Sequence, residues 1–390
     1  MLGPWRTLLR TGQIATMKTA AIALAFFFAF SRTSAAEPFM GAYINIPQLF
    51  DGKADQPSRE RSISENLDQF RASGLRVLMP FVVTTDKKAH YPSRLISQRP
   101  YGDWDPLALL IREGRRRGLE TYPAVCVMAS GGDRPTGILK EHPEWALRDR
   151  AGEPVGYISA GHPDARRWIV ALLKEIATDY RPDGLLLDYL RFPSDSAQLD
   201  PVSQARFDAA HPAEQFPPGS RQHAEELLKY KRECLTELVG QISGELRALD
   251  PRPRIALYMW GAHELKGTRD WRAWADRGYI DMLNLTGYSF PKQYGDKYLD
   301  VLEGRFRDVA AVLKELGRPV EFTICVGINT SHGKIREARE IQDYLSIGKR
   351  CGVQGASLFT WHYLQPYLTE VMRAGYLKDF RTDLPPAPNR

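Results

Sequence analysis

Residues 183–193 read Asp-Gly-Leu-Leu-Leu-Asp-Tyr-Leu-Arg-Phe-Pro, a short apolar run that ends in a carboxylate. The leucines at 185–187 fill both faces of an extended segment, which is typical of a strand covered on two sides in a parallel sheet. Because side chains alternate along a strand, Gly184, Leu186 and Asp188 share one face. In a parallel barrel, Asp188 would therefore point inward at the mouth of the active site. A salt-bridged Asp at a strand end is the structural alternative.

Strands and helices alternate along the rest of the chain. The other predicted strands lie at 39–46, 76–83, 120–128, 254–260, 281–289, 320–328 and 355–361. The predicted helices lie at 64–73, with Ser64 as its cap, and at 106–117, 163–180, 222–249, 269–276, 298–316, 335–350 and 365–374. This alternation predicts an α/β fold, a (β/α)8 TIM barrel with a long irregular insertion at 194–220 after the fourth strand. An open doubly wound sheet is the alternative, but no glycine-rich phosphate turn follows the first strand.

The N-terminal residues have the pattern of a secretory signal peptide. An apolar run at 19–30, too short to span a bilayer, precedes Ser34-Ala35-Ala36, so cleavage is expected before Glu37. No Cys follows the run that could carry a lipid anchor at that site, and Met17 would make a more ordinary start than Met1. We therefore expect a periplasmic or secreted protein with no membrane span after cleavage. The predicted divisions are a signal peptide at 1–36, one barrel at 37–380 and a flexible Pro-rich tail at 381–390.

Charge and cysteine content exclude several classes of function. The chain has 53 Lys and Arg against 47 Asp and Glu, a net charge of +6, but four of the basic residues lie in the leader. The remaining chain carries 49 basic and 47 acidic residues, a net charge of +2, which gives no electrostatic basis for binding nucleic acid. No metal-ligand spacing appears, so neither a metal nor a cofactor is expected. The four cysteines, predicted to be mostly buried thiols with one disulfide allowed, are Cys126, Cys234, Cys325 and Cys351.

Aromatic and polar residues recur where the predicted strands end. Rings stack on the C–H faces of sugars, and amide, hydroxyl and charged groups pair with sugar hydroxyls. Each aromatic taken alone also suits core packing, but their repetition at several strand ends predicts a carbohydrate site. The candidate substrate-binding residues are Asn45, Tyr189, Arg191, Tyr258, Trp260, Asn284, Tyr288, Trp361 and His362.

Glycoside hydrolysis usually needs two carboxyl groups, and the sequence offers one clear candidate. Asp188 is that candidate. Glu264, just beyond the fifth strand, is the candidate general acid, but a solvated loop residue without a catalytic role is an equally good interpretation of Glu264. Glu321 lies at the wrong end of the seventh strand, and Asp133 and Asp195 lie in loops. The leading hypothesis is a secreted glycoside hydrolase centred on Asp188. A non-catalytic glycan-binding barrel and another barrel enzyme, such as a lyase or isomerase, are the alternatives.

Four segments resemble a known family, the bacterial glycosyl-hydrolase-like family ten. Residues 183–193 resemble its fourth-strand signature, often written DGIHLDYIRYP, and 142–145 and 161–166 resemble a loop and a helix start. Residues 280–284 resemble its sixth-strand entry, but Thr286-Gly287 stands where the family usually has Pro-Gln before the Tyr.

The resemblance covers about residues 39–376 and is carried mainly by the fourth-strand signature. It implies a barrel hydrolase fold, an exported bacterial protein and a polysaccharide or peptidoglycan-type glycan as substrate. The Asp of the family signature maps onto Asp188. Much of the family has no assigned substrate, so the resemblance implies a class of enzyme and not a particular reaction.

Overall fold

Eight parallel strands form a closed barrel, and they follow one another around it in the order of the sequence. They are β1 (Phe39–Ile44), β2 (Val77–Val83), β3 (Glu120–Thr121 and Ala124–Cys126), β4 (Gly184–Asp188), β5 (Arg254–Met259), β6 (Met282–Thr286), β7 (Glu321–Gly327) and β8 (Gly355–Phe359). The computed structural model describes residues 38–377. The barrel closes where β1 pairs with β8, with Phe39 opposite Gly355. The predicted (β/α)8 fold is confirmed, whereas the predicted signal peptide and the tail at 381–390 lie outside the described residues.

The helices follow the strands in the alternation that a (β/α)8 barrel requires. They are α1 (Gln56–Ala72), α2 (Pro106–Arg116), α3 (Pro163–Tyr180), α4 (Arg221–Arg247), α5 (Trp271–Asp276), α6 (Tyr298–Lys314), α7 (Arg339–Arg350) and α8 (Leu368–Ala374). The α3 bounds equal the prediction, but α1 starts eight residues earlier than predicted. Its cap is Asp55, which accepts the Ser58 N–H at 2.9 Å, and not Ser64. Pro57 fits the first turn, where a missing N–H costs nothing.

The fourth strand forms part of the hydrophobic core along its whole apolar run. The three leucines at 185–187 are fully buried, as a strand covered on both faces requires. Burying each leucine contributes roughly 1.5–3 kcal/mol relative to exposure. A Cβ added at Gly184 would stand 2.2 Å from the Tyr122 ring, so the ring fills the space that a larger residue would need. This packing fixes the strand that carries Asp188 to the barrel mouth.

Most strands end earlier than predicted. The third is divided around Pro123, which cannot donate to a ladder, and the sixth stops at Thr286. The eighth stops at Phe359, and Trp361 already begins a short helix, Trp361–Leu364. A residue predicted to end a strand can therefore turn away from the barrel axis, and Trp361 does so.

Two long connections above the barrel are more ordered than predicted. The insertion predicted as irregular contains a helix, Pro201–Ala210, whose cap Asp200 accepts the N–H groups of Val202 and Ser203. The connection after β3 holds three short antiparallel strands, Ala129–Gly132, Ala146–Arg148 and Pro154–Ile158. Arg148 and Gln198 exchange backbone hydrogen bonds of 3.1 and 2.7 Å, which join the two connections.

All four cysteines are buried, as predicted, and none forms a disulfide. Within residues 38–377, no helix combines the length and the hydropathy needed to cross a membrane.

Candidate active site

A cavity of about 520 Å³ opens at the carboxyl ends of the barrel strands, and residues on or just after all eight strands line it. The lining residues are Tyr43, Asn45, Phe81, Thr84, Thr85, Cys126, Asp188, Tyr189, Arg191, Tyr258, Trp260, Arg269, Tyr288, Thr330, Ser331, His332 and Phe359. Asp188 is the one carboxylate among them. This is the end of the barrel where enzymes of this architecture carry their active sites.

Asp188 is the last residue of β4, and its carboxyl group lies in a partly desolvated position. Burial raises the pKa of Asp188 to about 6. The N–H of Tyr189, which donates to Oδ1 at 2.7 Å, and the nearby Arg191 and Arg269 act in the opposite direction. Burial exceeds these effects because water is the better solvent for a carboxylate. The carboxyl group can therefore hold or release a proton just below neutral pH, which suits a general acid.

Tyr189 has a backbone conformation that is unusual for its residue type. Its φ is +51°, in the left-handed region where a residue with a Cβ is strained. The turn places the Tyr189 N–H on the Asp188 carboxylate, while the Asp188 carbonyl accepts the Val127 N–H at 2.8 Å. The Arg191 guanidinium then lies 5.4 Å from the centre of the Tyr189 ring. Strain of this kind collects at functional sites, where the surrounding structure holds it in place.

Glu264 lies beside the cavity and not among the residues that line it. Its Oε2 accepts the backbone N–H of Trp260 at 2.9 Å and Nη1 of Arg269 at 2.6 Å. Its Oε1 is 3.8 Å from Nε of Arg191. Arg269, which is almost fully buried, also donates from Nη2 to the Tyr258 carbonyl at 2.6 Å. Glu264 thus fixes the two cavity-lining arginines, and its predicted role as general acid stays a prediction.

Aromatic side chains form much of the cavity wall. The rings of Trp260 and Tyr288 meet edge to face at 5.6 Å, and the His332 ring lies 4.7 Å from that of Trp260. On the other side, the Tyr43 ring lies 5.3 Å from that of Phe359. Such a wall offers ring faces for the C–H groups of sugars.

Asn284 lies inside the barrel below the cavity. It is fully buried and donates from Nδ2 to the Tyr43 hydroxyl at 3.2 Å and to Ser357 Oγ at 3.1 Å. Asn284 was predicted to contact the substrate directly. In the structure it can act on the substrate only indirectly, because it holds the hydroxyl group of the cavity-lining Tyr43.

Two predicted site residues do not reach the cavity. Trp361 is buried elsewhere, with its ring 5.2 Å from that of Phe70 and its Nε1 donating to Asn66 Oδ1 at 2.9 Å. His362 is exposed, with its ring 5.5 Å from that of Tyr363. Both corrections have one cause, because the chain turns into a helix at Trp361 and carries these side chains away from the barrel axis.

The segment that follows β7 contributes to the cavity but was not among the predicted site residues. Two short strands, Asn329–Thr330 and Gly333–Lys334, form a hairpin whose tip brings Ser331 and His332 to the cavity. Burial, followed by the positive charge of Arg305, lowers the pKa of His332. A signal was present in the turn-forming residues at 329–333, which follow a strand whose carboxyl end carries no acid.

Within residues 38–377, no group of three or more His, Cys, Asp and Glu side chains has the arrangement of a metal site. The groups that line the cavity include carboxyl, imidazole, guanidinium and hydroxyl groups.

Comparison with known proteins identifies the family. Residues 50–332 match the sequence model of the Glycosyl hydrolase-like 10 family. The chain belongs to this family. As a Glycosyl hydrolase-like 10 protein, it is 19% identical to glycosyl hydrolase DigH of Escherichia coli K12 over 315 residues, which cover 69% of this chain and 65% of DigH. The chain thus spans somewhat less than two thirds of that relative.

Solved structures share the barrel of this Glycosyl hydrolase-like 10 protein. The PgaB (BpsB) glycoside hydrolase domain of Bordetella bronchiseptica matches with a TM-score of 0.64 and 13% identity, covering 89% of this chain and all of that domain. A β-galactosidase of Rahnella sp. R3 matches with a TM-score of 0.64 and 12% identity, covering 90% of this chain and 57% of that enzyme. At such identities the likeness shows the fold, and the family supports an assignment as a glycoside hydrolase.

Proposed function

We propose that this protein is an exported glycoside hydrolase that cleaves O-glycosyl bonds in a bacterial or environmental polysaccharide, with Asp188 at the centre of the reaction. The observation that carries the proposal is the position of Asp188, the only carboxylate among the described residues that line the cavity. Its pKa of about 6 allows it to be protonated before bond cleavage and ionised after it. DigH and the PgaB domain, both described as glycoside hydrolases, support the reaction class.

The mechanism follows from what each cavity group can do. Protonated Asp188 donates its proton to the glycosidic oxygen, so that the leaving sugar departs as an alcohol. Arg191 and Arg269 stabilise the carboxylate that remains, because both lie close enough to lower its pKa. The aromatic wall holds the sugar rings in position, while a water molecule adds to the anomeric carbon and gives up one proton.

Export is proposed from the apolar run at 19–30 and the small residues that follow it. Mass spectrometry of the protein recovered from the periplasm or the medium should give an N-terminus at Glu37. A mature protein that begins at Met1 and remains in the cytoplasm would remove this part of the proposal.

The decisive test compares Asp188→Asn with wild type on cell-wall and biofilm glycans, followed by the release of reducing ends. The variant keeps the shape and the hydrogen bond to the Tyr189 N–H, but it has no transferable proton, so turnover should be lost and glycan binding retained. Asp183→Asn is a matched control at the opposite end of β4, where Asp183 accepts the Thr121 N–H at 2.8 Å. Wild-type turnover by Asp188→Asn would refute the central role of this carboxyl group.

A glycan-binding barrel without catalysis is the second candidate. The observation that favours it is the ion pair of Glu264 with Arg269, which leaves the cavity with a single carboxylate among the described residues. Binding of glycans by wild type and Asp188→Asn alike, with hydrolysis by neither, would establish this candidate instead.

A further inference from the structure

The cavity holds a second titratable group besides Asp188, and it is a histidine. His332 lies at the tip of the hairpin after β7 and lines the cavity. Its Nδ1 lies 3.2 Å from Ser331 Oγ, and among the described residues no hydrogen bond is found for its Nε2. The lining tyrosines Tyr43 and Tyr258 have strongly raised pKa values because they are buried, which keeps their hydroxyl groups protonated.

We infer that His332 is the general base of the hydrolase and that it activates the attacking water while Asp188 protonates the leaving group. The inference rests on the proposed function. It is carried by geometry, since His332 and Asp188 line the same cavity from β7 and β4, which lie three strands apart in the eight-stranded barrel. An inverting glycosidase needs an acid and a base that reach the sugar from different directions, because a water must fit between the base and the anomeric carbon.

The surroundings of His332 keep its imidazole neutral, as a base must be. The charged group that acts on it is Arg305 of α6, which donates from Nη1 to the Thr286 carbonyl at 3.3 Å. The titratable neighbour on the β6 side is Tyr288, with its ring 6.0 Å away, and on the β5 side the neighbour is the uncharged Trp260. Burial and Arg305 both lower the pKa of His332. The imidazole is therefore ready to accept a proton at neutral pH.

The proposed step balances in atoms and protons. The bond between the anomeric carbon and the glycosidic oxygen breaks, and that oxygen takes the proton of Asp188. The oxygen of a water molecule forms a new bond to the anomeric carbon from the opposite face, and His332 takes a proton from this water. Two shorter glycans leave, and the ionised Asp188 and protonated His332 return to their starting states by exchanging one proton with solvent.

The structural alternative is that His332 only extends the aromatic wall beside Trp260. Two variants distinguish this packing role from the role of general base. His332→Phe keeps a ring face but has no basic nitrogen, and His332→Ala leaves room for a small nucleophile. If His332 is the base, both variants should lose about 10²–10⁴-fold in kcat on the glycan that wild type cleaves fastest, with KM little changed in His332→Phe. His362→Phe is the matched control, because His362 is exposed and outside the cavity.

A second measurement reports on the base itself. Azide is nucleophilic without deprotonation, so it should restore cleavage of an aryl glycoside by His332→Ala and give a glycosyl azide of inverted configuration. Proton NMR of the wild-type reaction should show inversion at the anomeric carbon. Near-wild-type kcat in His332→Phe, or retention of configuration, would overturn the inference and leave the role of Asp188 intact. A wild-type protein that hydrolyses no glycan would overturn both.

Discussion

Asp188→Asn should make the protein more stable at neutral pH, although it removes the proposed catalytic proton. Burial holds the pKa of Asp188 at about 6 in the folded protein, against an ordinary value of 3.8. A raised pKa means that folding favours the protonated carboxyl group, so stability is lost as the pH rises from 3.8 to 6. The loss is complete above that range and amounts to about 3 kcal/mol. Asn cannot ionise, and the variant therefore escapes this cost.

The assay is urea denaturation of both proteins from about pH 4 to about pH 7.5. Near pH 4, where the wild-type carboxyl group is mostly protonated in the folded protein, the two should have nearly equal free energies of unfolding. At about pH 7.5 the variant should be more stable by up to about 3 kcal/mol, with an unchanged denaturant slope. The Asn side chain keeps an oxygen that can accept the Tyr189 N–H, so no compensating loss is expected from that hydrogen bond.

Asp183→Asn serves as the control for loss of a carboxylate at a strand end, and it should give no stabilisation at either pH. Equal stabilities of Asp188→Asn and wild type at pH 7.5, or a less stable variant, would show that the ionised carboxylate is not penalised by the fold. The desolvation argument for its protonated state, and with it the assignment as proton donor, would then fail.

Gly184→Ala should destabilise the protein by about 1–3 kcal/mol in thermal denaturation, because the added Cβ would meet the Tyr122 ring at 2.2 Å. Gly244→Ala is the control in an open position of α4, and it should stabilise the protein by about 0.5–1 kcal/mol. Glu264→Gln should reduce glycan turnover more than Glu340→Gln, which is a matched control because Glu340 forms an ion pair with Arg336 away from the cavity. If Glu264 only positions arginines, a substrate with an activated leaving group should not restore the turnover of Glu264→Gln. Trp361→Phe should lower the melting temperature while leaving the KM for glycan unchanged.

The order of the strands and the placement of Asp188 follow from local patterns. A run such as 184–188 is apolar on both faces and carries its first acid where the strand ends, so its position in a parallel barrel is determined by short-range sequence.

The residues after the strands could not be placed in the same way. Trp361 begins a helix, and its side chain bonds to Asn66, which is far away in the chain. Glu264 is directed by Arg269 and Arg191, which come from two different connections. The position of His332 depends on a hairpin of only two short strands. Loops take their shape from such non-local contacts, and sequence patterns of period 2 or 3.6 carry no information about them.

The pairing of β1 with β8 has a consequence for the order in which the protein can fold. During synthesis β1 emerges first and can pair with β2 early, but its other edge has no partner until β8 has been made. An unpaired strand edge is a template for association with other chains, and long-range pairing of this kind forms slowly. Chains interrupted before residue 355 would keep two edges open, on β1 and β7. The last strand thus acts as the closing piece that ends the exposure of the nascent chain to aggregation.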